Sequence, residues 1–281
     1  MSAQLALVTD STAYLPHQAV DRHRISVVPL SVAVGDTVLA EGVEIEPKDV
    51  AEALRAKQRL TTSRPNPETF AAAYRAAAAA GADGVVSVHI SGELSGTAEA
   101  ARLAAAEAPV PVRVVDSGLV GMALGYAVLA AAEARDAGLD LAAVAGAAEL
   151  RAAGTRGFFY VDTLEHLRRG GRIGTAQALL GSALAVKPLL HLDGGRIAPL
   201  EKVRTASRAI ARLAELAVAE AGERPVDITV HHLAAADRAE PLAGQLRERV
   251  PGLRELYVGE VGAVIGAHVG PGLLAVVVAP V

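Results

Sequence analysis

Residues 84–90 read GVVSVHI and residues 91–97 read SGELSGT, and these two adjoining segments are the strongest indication of the fold class. The first part is a short apolar run typical of a strand buried on both faces, and residues 95–106 then favour a helix. Around this unit, short β-rich runs alternate with helical stretches. The predicted strands are 5–9, 25–34 and 112–115, and the predicted helices are 47–58, 67–80 and 121–137. Such alternation predicts a parallel sheet covered by helices on both faces.

The pattern changes in the second half of the chain. Asp193-Gly194-Gly195 is a hairpin turn between two apolar runs, and helical segments mix with further strands. We therefore expect an α/β protein of two domains. The N-terminal parallel-sheet α/β/α domain spans residues 1–150, and a C-terminal mixed-sheet α+β domain spans residues 151–281.

The composition is that of a folded globular protein, with 52 % hydrophobic and 21 % charged residues. Cysteine is absent, which excludes disulfides, thiolate nucleophiles and cysteine-ligated metals. Aromatic residues make up only 3 %, and the net charge is −4, so the sequence does not indicate a nucleic-acid partner.

We expect a cytoplasmic protein without stable membrane insertion. The N-terminus lacks the basic start and apolar run of a signal peptide. The uncharged segment 261–281 is long enough to cross a bilayer, but Gly270-Pro271-Gly272 breaks it, which favours a strand–loop–strand arrangement.

Three separate segments carry groups suited to an anion: residues 61–67 (TTSRPNP), 91–97 (SGELSGT) and 267–272 (AHVGPG). The first two run into predicted helix N-termini, where unpaired N–H groups favour a carboxylate or phosphate. Each of these segments also has a purely structural interpretation. Ser95 and Asn66 could simply cap helices, and His268 could be a hydrogen-bonded core residue.

The sequence also contains the parts of a catalytic site. Ser95 or Ser117 could join His268 and Asp10 or Asp116 in a hydrolytic triad, although no Gly-x-Ser-x-Gly turn accompanies them. No spacing of His, Asp and Glu indicates a metal site, since His231 and His232 are adjacent and would face opposite sides of a strand.

The motifs together resemble the DegV family, the fatty-acid-binding proteins that include the FakB subunits of bacterial fatty acid kinase. Segments in the family's order run through nearly the whole chain, although Arg64 stands where glutamine is usual. They are Val8–Ala13, Thr61–Pro65, Leu94–Thr97, Val115–Ser117, Leu164–Ile173, Lys187-Pro188, Lys202–Thr205 and His268–Gly272.

The resemblance implies that a long-chain fatty acid is held between two α/β domains, with its tail buried and its carboxylate exposed to a partner. It implies no catalysis by this chain and no cofactor. A separate ATP-dependent kinase subunit would form the acyl phosphate for phospholipid synthesis. The implied carboxylate contacts and their neighbours are Thr62, Ser63, Ser95, Gly96, Thr97 and His268. An acyl hydrolase using Ser95 and His268 is the alternative.

A run of basic residues is the expected docking surface for the kinase subunit. Its members are Arg172, Lys187, Lys202 and Arg204. Arginine and lysine side chains in this number suit a phosphate or an acidic protein surface.

Overall fold

Two structural units divide the chain, and neither is continuous in sequence. One comprises Met1–Ser31 with Ser63–Ala153, and the other comprises Val32–Thr62 with Gly154–Val281. The computed structural model describes residues 4–179 and 187–281. The predicted boundary near residue 150 lies close to the break after Ala153, but the structure moves Val32–Thr62 into the C-terminal unit.

Thirteen strands and ten α-helices lie within the described residues. The strands are β1 (Leu5–Asp10), β2 (Ile25–Val28), β3 (Ser31–Val34), β4 (Thr37–Ala40), β5 (Leu60–Ser63), β6 (Gly84–His89), β7 (Val112–Asp116), β8 (Arg156–Tyr160), β9 (Lys187–Asp193), β10 (Arg196–Val203), β11 (Val226–His232), β12 (Leu253–Glu260) and β13 (Leu274–Pro280). The helices are α1 (His17–His23), α2 (Pro47–Arg55), α3 (Pro67–Ala79), α4 (Thr97–Ala105), α5 (Met122–Asp136), α6 (Leu141–Gly154), α7 (Glu165–Arg169), α8 (Ala206–Ala221), α9 (Ala236–Arg249) and α10 (Ala263–Val269).

The first unit contains the parallel sheet that the sequence predicts, in the order β2-β1-β6-β7. Every residue of β6 is buried, as expected for a strand covered on both faces. Val8 and Val85 pack with Phe70 and Tyr74 of α3 and with alanines of α4. Helix α5 also contacts β1 and β6, two strands that are buried at nearly every residue and so need cover on a second face. The sheet therefore has the predicted helical layers.

The second unit holds a six-stranded mixed sheet in the order β10-β9-β8-β13-β11-β12, in which only β11 and β12 pair in parallel among these neighbours. Helices α8 and α9 supply Leu213 and Leu242 to its core, with Ile228 and Val276 from the sheet. The hairpin predicted at Asp193-Gly194-Gly195 joins β9 to β10. The predicted α/β fold class, with a parallel and a mixed sheet, is confirmed.

The predicted strand 25–34 is wrong, because Pro29 interrupts it. Proline has no backbone N–H for a strand ladder, so β2 ends at Val28 and β3 begins at Ser31. Strand β3 joins a separate three-stranded sheet, in the order β4-β3-β5. This change of sheet carries Val32–Thr62 out of the first unit.

The strand–loop–strand prediction for residues 261–281 is also wrong, since helix α10 precedes β13. The Glu41 carboxylate accepts a 2.7 Å hydrogen bond from the Val264 N–H in the first turn of α10. Helix α10 also packs against α2. These distant contacts override the strand preference of valine and isoleucine.

Candidate functional site

The loop between β6 and α4 carries Ser95, Gly96 and Thr97 in the first unit. Gly96, and not Ser95, is the residue at the helix cap, and no side chain caps the helix. The Ser95 hydroxyl instead lies 2.8 Å from the hydroxyl of buried Thr97. The two hydroxyls therefore lie beside the first N–H groups of α4, a helix of nine residues. Hydroxyl and N–H donors at a helix N-terminus are suited to binding an anion.

Asp116 already supplies a carboxylate to the start of this loop. Its two oxygens each lie 3.1 Å from the Gly92 N–H, and one also accepts from the Gly118 N–H at 3.0 Å. A Cβ at Gly92 would lie 2.5 Å from that carboxylate, so only glycine permits the approach. The Gly92 N–H is thus already bonded to a carboxylate of the same unit.

Arg64 lies over the other end of the loop. Its guanidinium donates a 3.0 Å hydrogen bond to the Gly96 carbonyl oxygen, and a Cβ at Gly96 would lie only 2.7 Å from it. The side chain is exposed. Arg64, which stands where the DegV pattern usually has glutamine, therefore places its positive charge directly beside the candidate anion-binding residues of this unit.

Thr62 and His268 come together in the second unit. The Thr62 Oγ1 lies 2.8 Å from the His268 Nε2, across 206 residues of sequence. Strand β5 alternates between half-buried and exposed residues, so Thr62 turns inward, whereas Thr61 and Ser63 are exposed. The structure thus joins two predicted residues and leaves the Ser63 side chain in solvent.

His268 is uncharged at neutral pH. Burial, with a smaller effect of the Arg172 charge, lowers its pKa from 6.5 to about 4. Its Nδ1 is buried and has no hydrogen-bond partner among the described residues. The ring can therefore contribute only a neutral hydrogen bond.

Helices α7 and α10 pack against each other through two histidines, His166 and His268. A Cβ at Gly170 would lie 2.0 Å from the His268 Nδ1, and a Cβ at Gly270 would lie 2.3 Å from the His166 ring. Each histidine therefore lies against the bare backbone of a glycine beside the opposite helix. Burial is also the main cause that lowers the pKa of His166. This reciprocal packing fixes the position of His268.

A cavity of about 590 Å³ opens beside this pair, within the second unit. Thr62, His166, His268 and Arg172 are among its lining residues. A volume of this size is ordinary for a small-molecule site. Of the predicted docking residues, Arg172 thus lies at the candidate site itself.

The other docking residues lie at one end of the β9–β10 hairpin. Lys187 pairs with Val203, and Lys202 pairs with Pro188, so the Lys187 and Lys202 side chains project from opposite faces of the sheet. Lys187 donates a 2.9 Å hydrogen bond to the Asp162 carbonyl oxygen, whereas Lys202 and Arg204 are exposed. Of the three predicted docking residues at this end of the hairpin, Lys202 and Arg204 are the exposed ones, and Lys187 is partly buried.

A hydrogen-bonded serine, histidine and aspartate do occur, but of the residues named from the sequence only Asp10 belongs to them. Ser87 Oγ lies 2.7 Å from the His89 Nε2, and the His89 Nδ1 lies 3.0 Å from Asp10. All three are fully buried, and Tyr74 donates to Ser87 at 2.9 Å. Burial raises the pKa of Tyr74 to about 12. No substrate reaches this network, so its role is structural.

The hydrolase alternative is not favoured. The Ser95 hydroxyl is bonded to Thr97, and the His268 imidazole to Thr62, so neither forms a serine–histidine pair of the kind that activates a nucleophile. Within residues 4–179 and 187–281, no group of three His, Asp or Glu side chains could hold a metal ion. The helices of the same ranges include none with the length and apolar character of a membrane span.

Comparisons with known proteins agree with these features. Residues 4–281 match a family model described as "Uncharacterised protein, DegV family". The chain is 66 % identical, over 99 % of both chains, to a DegV domain-containing protein of Streptomyces coelicolor.

Two solved structures resemble it closely. One is described as showing fatty acid binding of a DegV family protein from Thermus thermophilus, with a TM-score of 0.94 and 37 % identity over 99 % of this chain and 100 % of that one. The other, DegV from Bacillus subtilis, is described as a fatty acid binding protein, with a TM-score of 0.92 and 34 % identity over 100 % of both chains. The chain therefore belongs to the DegV family, as the motifs of its sequence predicted.

Proposed function

We propose that this protein binds a long-chain fatty acid. The observation that carries the proposal is the Thr62–His268 hydrogen bond, which sets a hydroxyl and a neutral imidazole together at a cavity. The descriptions of the Thermus and Bacillus relatives as fatty acid binding proteins support it.

The headgroup contacts are proposed separately for each unit. In the second unit, the neutral His268 donates its Nε2–H to the Thr62 hydroxyl, and the Thr62 O–H donates to the carboxylate. In the first unit, the Ser95 and Thr97 hydroxyls and the Gly96 N–H are donors of the same kind. Hydrogen bonds to a charged group contribute about 1.5–3 kcal/mol each, so loss of one weakens binding by roughly ten- to a hundredfold.

Equilibrium binding of palmitate to single variants tests these contacts. Thr62→Ala and Ser95→Ala are compared with Thr175→Ala and Ser26→Ala, which remove exposed hydroxyls of the same types. We expect a tenfold or greater rise in Kd, on the order of one lost bond, for the first two variants only. Unchanged affinity in both would contradict the assignment.

The proposal assigns most of the affinity to burial of the acyl tail. Each buried methylene contributes about 0.8 kcal/mol, so removing two methylenes from the acid weakens binding by roughly fifteenfold. The carrier requires no metal or organic cofactor and has no catalytic step of its own. Ester hydrolysis that disappears in Ser95→Ala would contradict this part.

We further propose that a separate ATP-dependent kinase subunit phosphorylates the bound acid. The exposed Lys202 and Arg204 are the docking residues, supported by Arg172 and Lys187. Reversal of charge in Arg204→Glu is expected to slow partner-dependent acyl phosphate formation while palmitate binding is retained. Arg249→Glu, on exposed α9, is the control. Equal rates for both variants would remove Arg204 from the interface.

A further inference from the structure

The cavity beside Thr62 and His268 has an unbalanced charge. Among the described residues that line it, four side chains are cationic and none is an aspartate or glutamate. The cations are Lys57, Arg59, Arg169 and Arg172. A carboxylate carries one negative charge, so the headgroup proposed above does not account for four positive ones.

Two of these cations are not neutralised within the described residues. Arg169 forms a 2.8 Å ion pair with Glu165, and Arg172 donates a 2.7 Å hydrogen bond to the Gly170 carbonyl oxygen. The side chains of Lys57 and Arg59 have no hydrogen-bond or ion-pair partner among the described residues. Arg135 and Arg212, elsewhere in the described chain, pair with carboxylates at 2.7 Å. The charges of Lys57 and Arg59 are therefore uncompensated at the cavity.

Lys57 holds a position that usually belongs to glycine. The Lys57 N–H donates to the Leu54 carbonyl oxygen and the Gln58 N–H to that of Ala53, which is the pair of bonds that closes a helix with a left-handed residue. Lys57 has φ of +57°, a conformation in which side chains are disfavoured. A cation is thus retained at the cavity despite a conformational cost.

We propose that this cavity binds a polyphosphate group, the phosphate chain of a nucleoside triphosphate or of inorganic triphosphate. Several phosphates in a row present three or more negative charges within a few ångströms, which matches four cations lining one cavity of about 590 Å³. Arginine guanidinium groups donate paired hydrogen bonds to phosphate oxygens, and lysine adds a point charge.

This binding goes beyond the fatty acid proposal and does not depend on it. Its use in phosphoryl transfer does rest on that proposal, because the phosphates would then lie next to Thr62, the proposed carboxylate contact, and its partner His268. Measuring both ligands on each variant separates the two, since palmitate binding can persist where triphosphate binding is lost.

Isothermal titration calorimetry of the full chain, without divalent metal, tests the site. Sodium triphosphate and ATP are expected to bind within about threefold of each other and at least tenfold more tightly than orthophosphate, since charge-assisted contacts accumulate along the chain. The affinity is also expected to fall as salt is raised. Binding of ATP without binding of triphosphate would overturn the proposal, because recognition would then belong to the nucleoside.

Lys57→Gly and Arg59→Gln are the decisive variants. Lys57→Gly relieves the left-handed residue, so we expect a higher unfolding midpoint together with about tenfold weaker triphosphate binding. Arg24→Gly is the matched control, because exposed Arg24 also has a positive φ, of +47°, at a helix end in the other unit. Its stability should rise with triphosphate affinity unchanged. Wild-type triphosphate affinity in both Lys57→Gly and Arg59→Gln would overturn the proposal.

Discussion

Substitution of Gly170 by alanine tests how the protein positions His268. Gly170 has φ of −74° and ψ of −8°, a right-handed helical conformation that alanine adopts without strain. The new Cβ would lie 2.0 Å from the His268 Nδ1, whereas ordinary contact begins at 3.4 Å. The imidazole must therefore retreat by about 1.4 Å, the difference between those two distances.

The ring has no room to retreat toward Thr62. Its two nitrogens point in roughly opposite directions, and the Nε2 is already at the optimal 2.8 Å from the Thr62 hydroxyl. The ring must rotate, which breaks that bond at a cost of about 0.5–1.5 kcal/mol. If His268 orients the Thr62 hydroxyl toward the carboxylate as proposed, palmitate Kd rises by about two- to thirteenfold. The pKa of His268 also rises from about 4 toward 6.5 as the ring becomes hydrated.

Palmitate titration and an NMR pH titration of His268 measure both effects. Gly244→Ala is the control, because it lies within α9 of the same unit and a Cβ there meets nothing within 4 Å. It should gain about 0.5–1 kcal/mol of stability without a change in either readout. An unchanged His268 pKa and unchanged affinity in Gly170→Ala would refute the packing argument.

Further predictions concern stability and the ligand. His231 and His268 both have pKa values lowered from 6.5 to about 4, chiefly by burial, so the unfolded chain binds protons first and stability falls as the pH drops from about 6.5 to 4. Urea unfolding should show a loss of up to about 1.4 kcal/mol per pH unit for each histidine, and an equal slope in His231→Asn would contradict this. Ser87→Ala leaves the buried Tyr74 hydroxyl without its acceptor and should cost about 1–3 kcal/mol, whereas exposed Ser26→Ala should change stability little. Equal Tm values for these two serine variants would show that the buried network contributes nothing. Calorimetry with shortened fatty acids should show an affinity that falls with each methylene removed, and a flat series would exclude a buried tail.

Local signals in the sequence were sufficient for much of the fold. The apolar run 84–90, the proline at position 67 and the Asp193-Gly194-Gly195 turn each specify structure within a few residues, and each predicted element occurs. Asn66 caps α3 as expected, accepting a 3.1 Å hydrogen bond from the Glu68 N–H.

Features that depend on distant residues could not be predicted in this way. The Glu41 cap of α10 and the Thr62–His268 bond each join residues more than 200 positions apart. Motif order drew attention to Thr62 and His268, but not to their mutual contact or to the neutral state of the imidazole. The packing of His268 against Gly170 had no local signal beyond the glycine itself.

Native mass spectrometry of the protein purified from cells, followed by lipid extraction, shows whether the protein carries a fatty acid. We predict that the protein copurifies with one fatty acid per chain, which denaturation releases and extraction identifies. A ligand-free mass that persists after addition of sixteen- and eighteen-carbon acids would contradict the proposed fatty acid binding.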